Sequence, residues 1–249
     1  MHESRNLFDP ATAGILLAEN ETMLGRPQSF VERLPPQDRE AVRRIGTTRQ
    51  LARSEMLFAQ GQYQDGIVVV EQGLIRSFYT APSGRQITLA YWHPGNFVGG
   101  PHLFGGSCMW SAVAARKSIV TYLPGAALRA LAREVPDLAL ELIDALSFKA
   151  RCYSSLAQML GTRSLHERLV HVLMHLATTH GIAERDGQIS VAVAFSHAEI
   201  ANLIGSTRQW VTISLNRLQK RGIISQRRGM MVIRQPEMLR NLSEHDDRD

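Results

Sequence analysis

The segment Phe195-Ser-His-Ala-Glu-Ile200-Ala-Asn-Leu-Ile-Gly205-Ser-Thr-Arg-Gln-Trp210-Val-Thr-Ile-Ser-Leu215 carries two helix starts separated by one tight turn. Ser196 and Glu199 stand three apart, the spacing of a capping box, and Ile200, Leu203 and Ile204 give the helix they open an inner face. Gly205 supplies the turn. Ser206 to Gln209 offers a second box, opening a helix whose Val211, Leu215 and Leu218 lie at i, i+4 and i+7, on a buried stripe. Two short helices joined in this way predict a helix-turn-helix.

Turning 100° per residue from the buried stripe places Gln209, Ile213, Asn216 and Lys220 on the opposite face, with Thr212 at its edge. At the helix start, Gln209 can bond adenine in the major groove, Ile213 can touch a thymine methyl, and Arg208 can bond guanine or phosphate. The capping residues Ser196, Ser206 and Thr207 are counted with this DNA-facing set. Gly222 ends the helix. Residues 223–225 and 230–233 then predict a hairpin, a wing whose basic tip offers Arg227 and Arg228 to phosphates.

The charge distribution supports this. Residues 205–234 hold seven Lys and Arg and no Asp or Glu, which leaves 21 basic residues against 23 acids elsewhere in a chain of net charge +5. The cationic excess is local, as phosphate neutralisation requires.

Upstream, Ser164 and Glu167 form another capping box, for a helix carrying Leu169, Val172, Leu173 and Leu176, with Gly161 and Thr162 as a hinge before it. Before the hinge, Ala139, Ile143, Leu146, Ala150, Tyr153, Ala157 and Leu160 recur at alternating steps of four and three, one seam of a long helix. Such a seam packs either on the protein's own core or on a second copy; its strict 3.5 period predicts a parallel dimer. Further upstream, residues 67–70, 73–79, 87–91, 111–115 and 119–122 read as short strands with turns at Ser83-Gly84 and Pro94-Gly95-Asn96, a small barrel or roll.

The 249 residues, 44% hydrophobic, therefore predict an α+β chain in five parts. These are a loosely held extension (1–30), a β-roll sensor domain (31–135), a dimerisation helix with hinge (136–163), a winged helix-turn-helix (164–240) and an acidic tail (241–249). No apolar run is long enough to span a membrane and no signal-peptide pattern is present, so a cytoplasmic protein is expected. Two cysteines are too few for a disulfide framework or a four-thiolate cluster. Nucleotide-loop, zinc-protease and nucleophile-elbow motifs are missing, so an enzyme is not expected, and metal ligands are not predicted. A sensor acting through protein partners is the remaining rival.

The order of parts, the stretch 200–215 with Leu218 and Gly222-Ile-Ile, and the segment Gly95-Asn-Phe-Val-Gly99 resemble the CRP/FNR family of transcription regulators over roughly residues 45–235. The resemblance implies a cyclic-nucleotide-binding-like roll and a ligand-responsive homodimer on a partly palindromic operator, in contact with RNA polymerase. Arg208 matches an arginine shared by many members, but Gln209 and Ile213 replace the family's usual glutamate and the catabolite activator's second reading arginine, so a different operator is expected. In the nucleotide cassette Gly99 and Ser111 match, while Gly100 stands where the ribose glutamate would be and Trp110 where the phosphate arginine would be. Loss of that arginine removes roughly 1.5 to 3 kcal/mol. Cyclic AMP is therefore not expected. Tyr153 and Ser154 match nucleotide-contacting positions, so a pocket around Met109, Trp110 and Tyr153 would take an apolar or aromatic effector, unless these residues merely fill the roll. Haem held by His93, His102 or Cys108 is an alternative suggested by some relatives, and Cys152 reads as either a buried thiol or a redox switch.

Overall fold

A computed structural model describes residues 29–184, 186–191, 195–227 and 230–245. The predicted extension up to residue 28, Arg228 at the wing tip and the last four residues of the predicted tail lie outside them. The chain divides into two units, one ending at Ser154 and one beginning at Ser155.

The first unit opens with helix α1 (Pro36–Arg44), which a proline starts and whose Val42 is buried. Ten strands follow: β1 (Thr47–Leu51), β2 (Met56–Phe58), β3 (Tyr63–Gln64), β4 (Gly66–Gln72), β5 (Ile75–Thr80), β6 (Gln86–Trp92), β7 (Phe97–Val98), β8 (Gly106–Ser107), β9 (Ser111–Ala114) and β10 (Ser118–Pro124). They form two antiparallel four-stranded sheets, ordered β1-β10-β4-β7 and β2-β9-β5-β6, with β3 and β8 as a separate pair. This is the predicted roll. The five expected strands are all present, and the short strands around them are additional.

In β4 the run Ile67 to Val70 is buried throughout, because both faces of the strand are covered. Ile67 and Val69 join Phe97 and Leu123 in a core completed by Phe30, Leu34 and Val42 and by the helices α2 (Gly125–Glu134) and α3 (Pro136–Thr162), through Leu128, Leu138 and Leu142. Trp92 ends β6 fully buried, its indole N–H donating to Ser77 Oγ at 2.8 Å.

Helix α3 runs unbroken through Gly161 and Thr162, so the predicted hinge is displaced. The break comes at Arg163 and Ser164, where the next capping box takes over the orphaned backbone donors.

In the second unit that box starts α4 (Leu165–His180), whose Leu169, Val172, Leu173 and Leu176 are buried as expected. Strands β11 (Gly181–Ala183) and β12 (Ile189–Val191), which the sequence reading missed, precede α5 (His197–Ile204) and α6 (Arg208–Lys220). Strands β13 (Ile224–Arg227) and β14 (Met230–Ile233) form the wing, in a sheet ordered β11-β12-β14-β13. Helix α7 (Pro236–His245) takes in the first half of the segment expected as an acidic tail.

Candidate functional site

The helix-turn-helix is built by its caps. Ser196 Oγ accepts from the Glu199 backbone N–H while the Glu199 carboxylate accepts from the Ser196 N–H, closing the predicted box at the start of α5. Gly205 has φ +69°, the left-handed conformation that favours glycine, and its N–H bonds the Ala201 carbonyl. The second cap is one residue later than expected. Thr207, not Ser206, caps α6, its hydroxyl accepting from the Trp210 N–H at 3.2 Å. Ser206 is buried in the turn, which removes it from the DNA-facing set.

On α6, Val211, Leu215 and Leu218 are buried together with Ser214. Arg208, Gln209, Ile213, Asn216 and Lys220 are exposed, Ile213 at 52% despite its apolar side chain. Thr212, expected at the edge of this face, is half-buried. Its hydroxyl donates to the Arg208 carbonyl at 2.9 Å and lies 2.8 Å from His197 Nδ1, so it braces α5 against α6.

Three features of this unit escaped the sequence reading. Trp210 packs edge-on against His166, with ring centroids 5.0 Å apart. Arg168 on α4 donates to the carbonyls of Leu160, Arg163 and Ile204 at 2.6, 2.9 and 3.1 Å. Glu184, outside the acid-free window in sequence, comes within 3.5 Å of the Arg227 guanidinium on the wing. Only the surplus of arginines along a helix or strand is visible in sequence; which carbonyl or carboxylate each meets is not.

The seam residues of α3 divide. Ile143, at 59%, and Leu146, at 36%, are exposed, as are Ala150 and Ala157. Ala139, Tyr153 and Leu160 are half-buried within their own chain, and Leu160 lies beside the Gly205 turn. Tyr153 sits 6.2 Å from the Trp92 ring and 6.0 Å from that of Trp110. Leu138, Leu142, Phe148 and Cys152 are buried along another line of the helix.

A cavity of about 270 Å³ opens where the roll meets α3, lined by Gly99, Gly100, Trp110 and Tyr153, four of the seven expected pocket residues, and by Trp92, Val98, Pro101, Leu146, Lys149 and Ala150. The other three are elsewhere. Met109 is 59% exposed, Ser154 is exposed, and the Ser111 hydroxyl accepts from the Gln60 N–H at 2.9 Å. A Cβ at Gly100 would lie 2.9 Å from Leu146 and 3.4 Å from Phe97, so a longer side chain there must displace Leu146. With Trp110 buried in the arginine's place, these residues do not fit a cyclic nucleotide.

Lys149, also missed from the sequence, is 6% exposed and donates to the Phe97 carbonyl at 2.6 Å. Burial pushes its amine well below the ordinary lysine range. The neighbouring Cys152 thiol is pushed up to about 11 by burial, against the pull of Lys149, which holds it protonated at neutral pH. His102 is buried 3.8 Å from the Cys108 sulfur and edge-on to Phe58, and desolvation lowers its pKa. His93, His102 and Cys108 line none of the described cavities, and no metal-holding cluster of three or more His, Cys, Asp or Glu occurs among the described residues. No described helix is long and apolar enough to cross a membrane.

A roll, a long helix and a winged helix-turn-helix, in that order, define a class of DNA-binding transcription regulators. The family model for the Crp-like helix-turn-helix domain matches residues 167–242, and that for the cyclic nucleotide-binding domain matches residues 48–135. The transcriptional regulator LdrP of Thermus thermophilus is 30% identical over 179 residues, 71% of this chain and 87% of the relative. A solved CRP-family transcriptional regulator, also from Thermus thermophilus, is 28% identical, with a TM-score of 0.62 over 78% of this chain and 96% of that one. The c-di-GMP responsive regulator CLP of Xanthomonas campestris shares the fold at a TM-score of 0.71 and 19% identity, covering 80% of this chain and 99% of that one. The chain belongs to the CRP/FNR family and is a DNA-binding transcriptional regulator.

Proposed function

We propose that the protein acts as a homodimer on a partly palindromic operator, and that a small apolar or aromatic effector other than cyclic AMP, held in the cavity beside α3, controls it. The observation that carries the operator reading is the exposed face of α6, where Arg208, Gln209, Ile213, Asn216 and Lys220 stand together on a capped helix. Arg227 adds a phosphate contact from the wing, once DNA competes it away from Glu184. Ser196 and Thr207, exposed at the two helix starts, contribute further backbone contacts. Contact with RNA polymerase follows from the family resemblance, and the cytoplasm is the compartment such a regulator works in.

Ile143 and Leu146 support the dimer, since two large apolar side chains on one exposed helix line are costly to leave in water. A two-fold axis along α3 sets the half-sites about one helical turn, roughly 34 to 36 Å, apart.

Titrating the protein against operator DNA at increasing salt tests the reading: six to ten phosphate contacts lower affinity by roughly 10³ to 10⁵ between 50 and 200 mM salt. A flat response is expected instead of a sensor that acts through protein partners, and it would remove the DNA reading. Arg227→Ala should make the slope shallower and weaken all sequences alike. In sedimentation, Leu146→Glu should shift the protein toward monomer, and an unshifted dimer would move the interface elsewhere.

A further inference from the structure

The chain contains only three lysines, Lys117, Lys149 and Lys220, among 28 basic residues, and one of them is buried. Lys149 Nζ donates one hydrogen bond to the Phe97 carbonyl and lies 3.2 Å from the centre of the Trp92 ring. Among the described residues no Asp or Glu lines the cavity it borders, and Cys152, which burial keeps protonated, provides no anion. As packing alone this arrangement is costly. An ammonium without a counter-charge is strongly disfavoured out of water, so burial drives this amine toward its neutral form, whereas methionine would fill the same space without any such conflict.

The ring face and the carbonyl oxygen favour the protonated amine only in part, and an anion entering the cavity would restore its charge. The remaining walls are apolar and aromatic, and about 270 Å³ lies just under the usual range of small-molecule sites. A phosphate dianion would need more donors than one amine supplies. A single carboxylate on a compact apolar body matches both the one cation and the walls.

We infer that the cavity takes up a small aromatic or other apolar carboxylic acid, its carboxylate paired with Lys149 Nζ and its body against Trp110 and Tyr153. The inference rests on the cavity being a ligand site, as proposed above, and adds the charge of the ligand.

The test compares benzoate with benzamide, which share a shape and differ in charge, on the full-length protein by calorimetry and by quenching of tryptophan fluorescence. Benzoate should bind at least about tenfold more tightly. In Lys149→Met that ratio should fall to about one, with benzamide binding retained. A second measurement needs no variant: in protein carrying 13C-labelled lysine, benzoate and not benzamide should move one side-chain resonance, that of the single buried lysine. Equal affinities in the unmodified protein keep the cavity as a ligand site and overturn the acid. A preference that survives Lys149→Met, or no binding of either compound at about 10 mM, also overturns it. No readout involves DNA, so failure here leaves the operator reading intact, and failure of the operator reading leaves this site intact.

Discussion

On α6, Gln209, Ile213, Asn216 and Lys220 stand in solvent while Val211, Leu215 and Leu218 hold the helix from behind. At the cavity, Trp92, Trp110 and Lys149 are themselves buried, and they come from a strand, a connection and a helix that together span more than 50 residues of the chain. The helix separates what it shows to a partner from what stabilises it. The cavity does not, because its walls are also core. Changes on α6 should therefore alter recognition at constant stability, whereas changes at the cavity should alter both.

The largest effect is expected at the cavity wall. Trp92→Ala removes a fully buried indole and its bond to Ser77, and should cost about 3 to 5 kcal/mol in denaturant unfolding. A loss under about 1 kcal/mol would mean that the wall is not core, and the contrast would fail.

Next in size is a pH effect inside the second unit. His175 on α4 is buried, and desolvation, with the neighbouring His171 and His180, lowers its pKa to about 4. The unfolded chain takes up this proton near pH 6.5 and the folded one only near 4, so the contribution is complete above about 6.5 and falls as pH drops through that window. Roughly 2 to 3 kcal/mol should be lost by pH 4, and His175→Gln should flatten that part of the profile in thermal melts. An unchanged profile would assign the acid sensitivity to other groups.

On the exposed face, Gln209→Ala should relax preference at one operator position by about 1 to 3 kcal/mol and leave stability within about 0.5 kcal/mol. Selection from randomised operators reads the first, and denaturation the second. A large stability loss without a change in preference would reverse the comparison. The smallest effect is expected at the cap, where Ser196→Ala should lower stability by about 1 kcal/mol.

The same contrast explains what could be read from the sequence. Helix faces follow from periodicity, so the buried stripe of α6, the exposed Ile213, and the capping boxes at Ser164 and Ser196 were legible. Choosing Ser206 over Thr207 as the cap failed because adjacent hydroxyls carry the same local signal, and only the path of the turn decides which one meets the backbone. At the cavity, the family's motif points to Gly100 and Trp110, while Ser154 turns away because helix neighbours point to different sides, and Met109 is exposed beside the buried Trp110 in the irregular connection before β9, where no periodicity tells one side from the other. Lys149 was missed because a lysine is normally read as surface, and its burial depends on Phe97 and Trp92 from distant strands. Residues 181–183 and 189–191 are too short to show alternation and become strands only by pairing with β14 and each other.

The Arg168 guanidinium holds three carbonyls, at Leu160 in the last turn of α3, at Arg163 in the connection, and at Ile204 where α5 ends. Two of those acceptors precede the capping box that marks where the second unit's own helices begin. An excised C-terminal fragment starting at Ser164 would thus keep its cap and lose most of this arginine's partners, leaving a half-buried charge with one acceptor. The workable cut lies before Leu160, and the final turn of the long helix is a foundation stone of the unit that follows it.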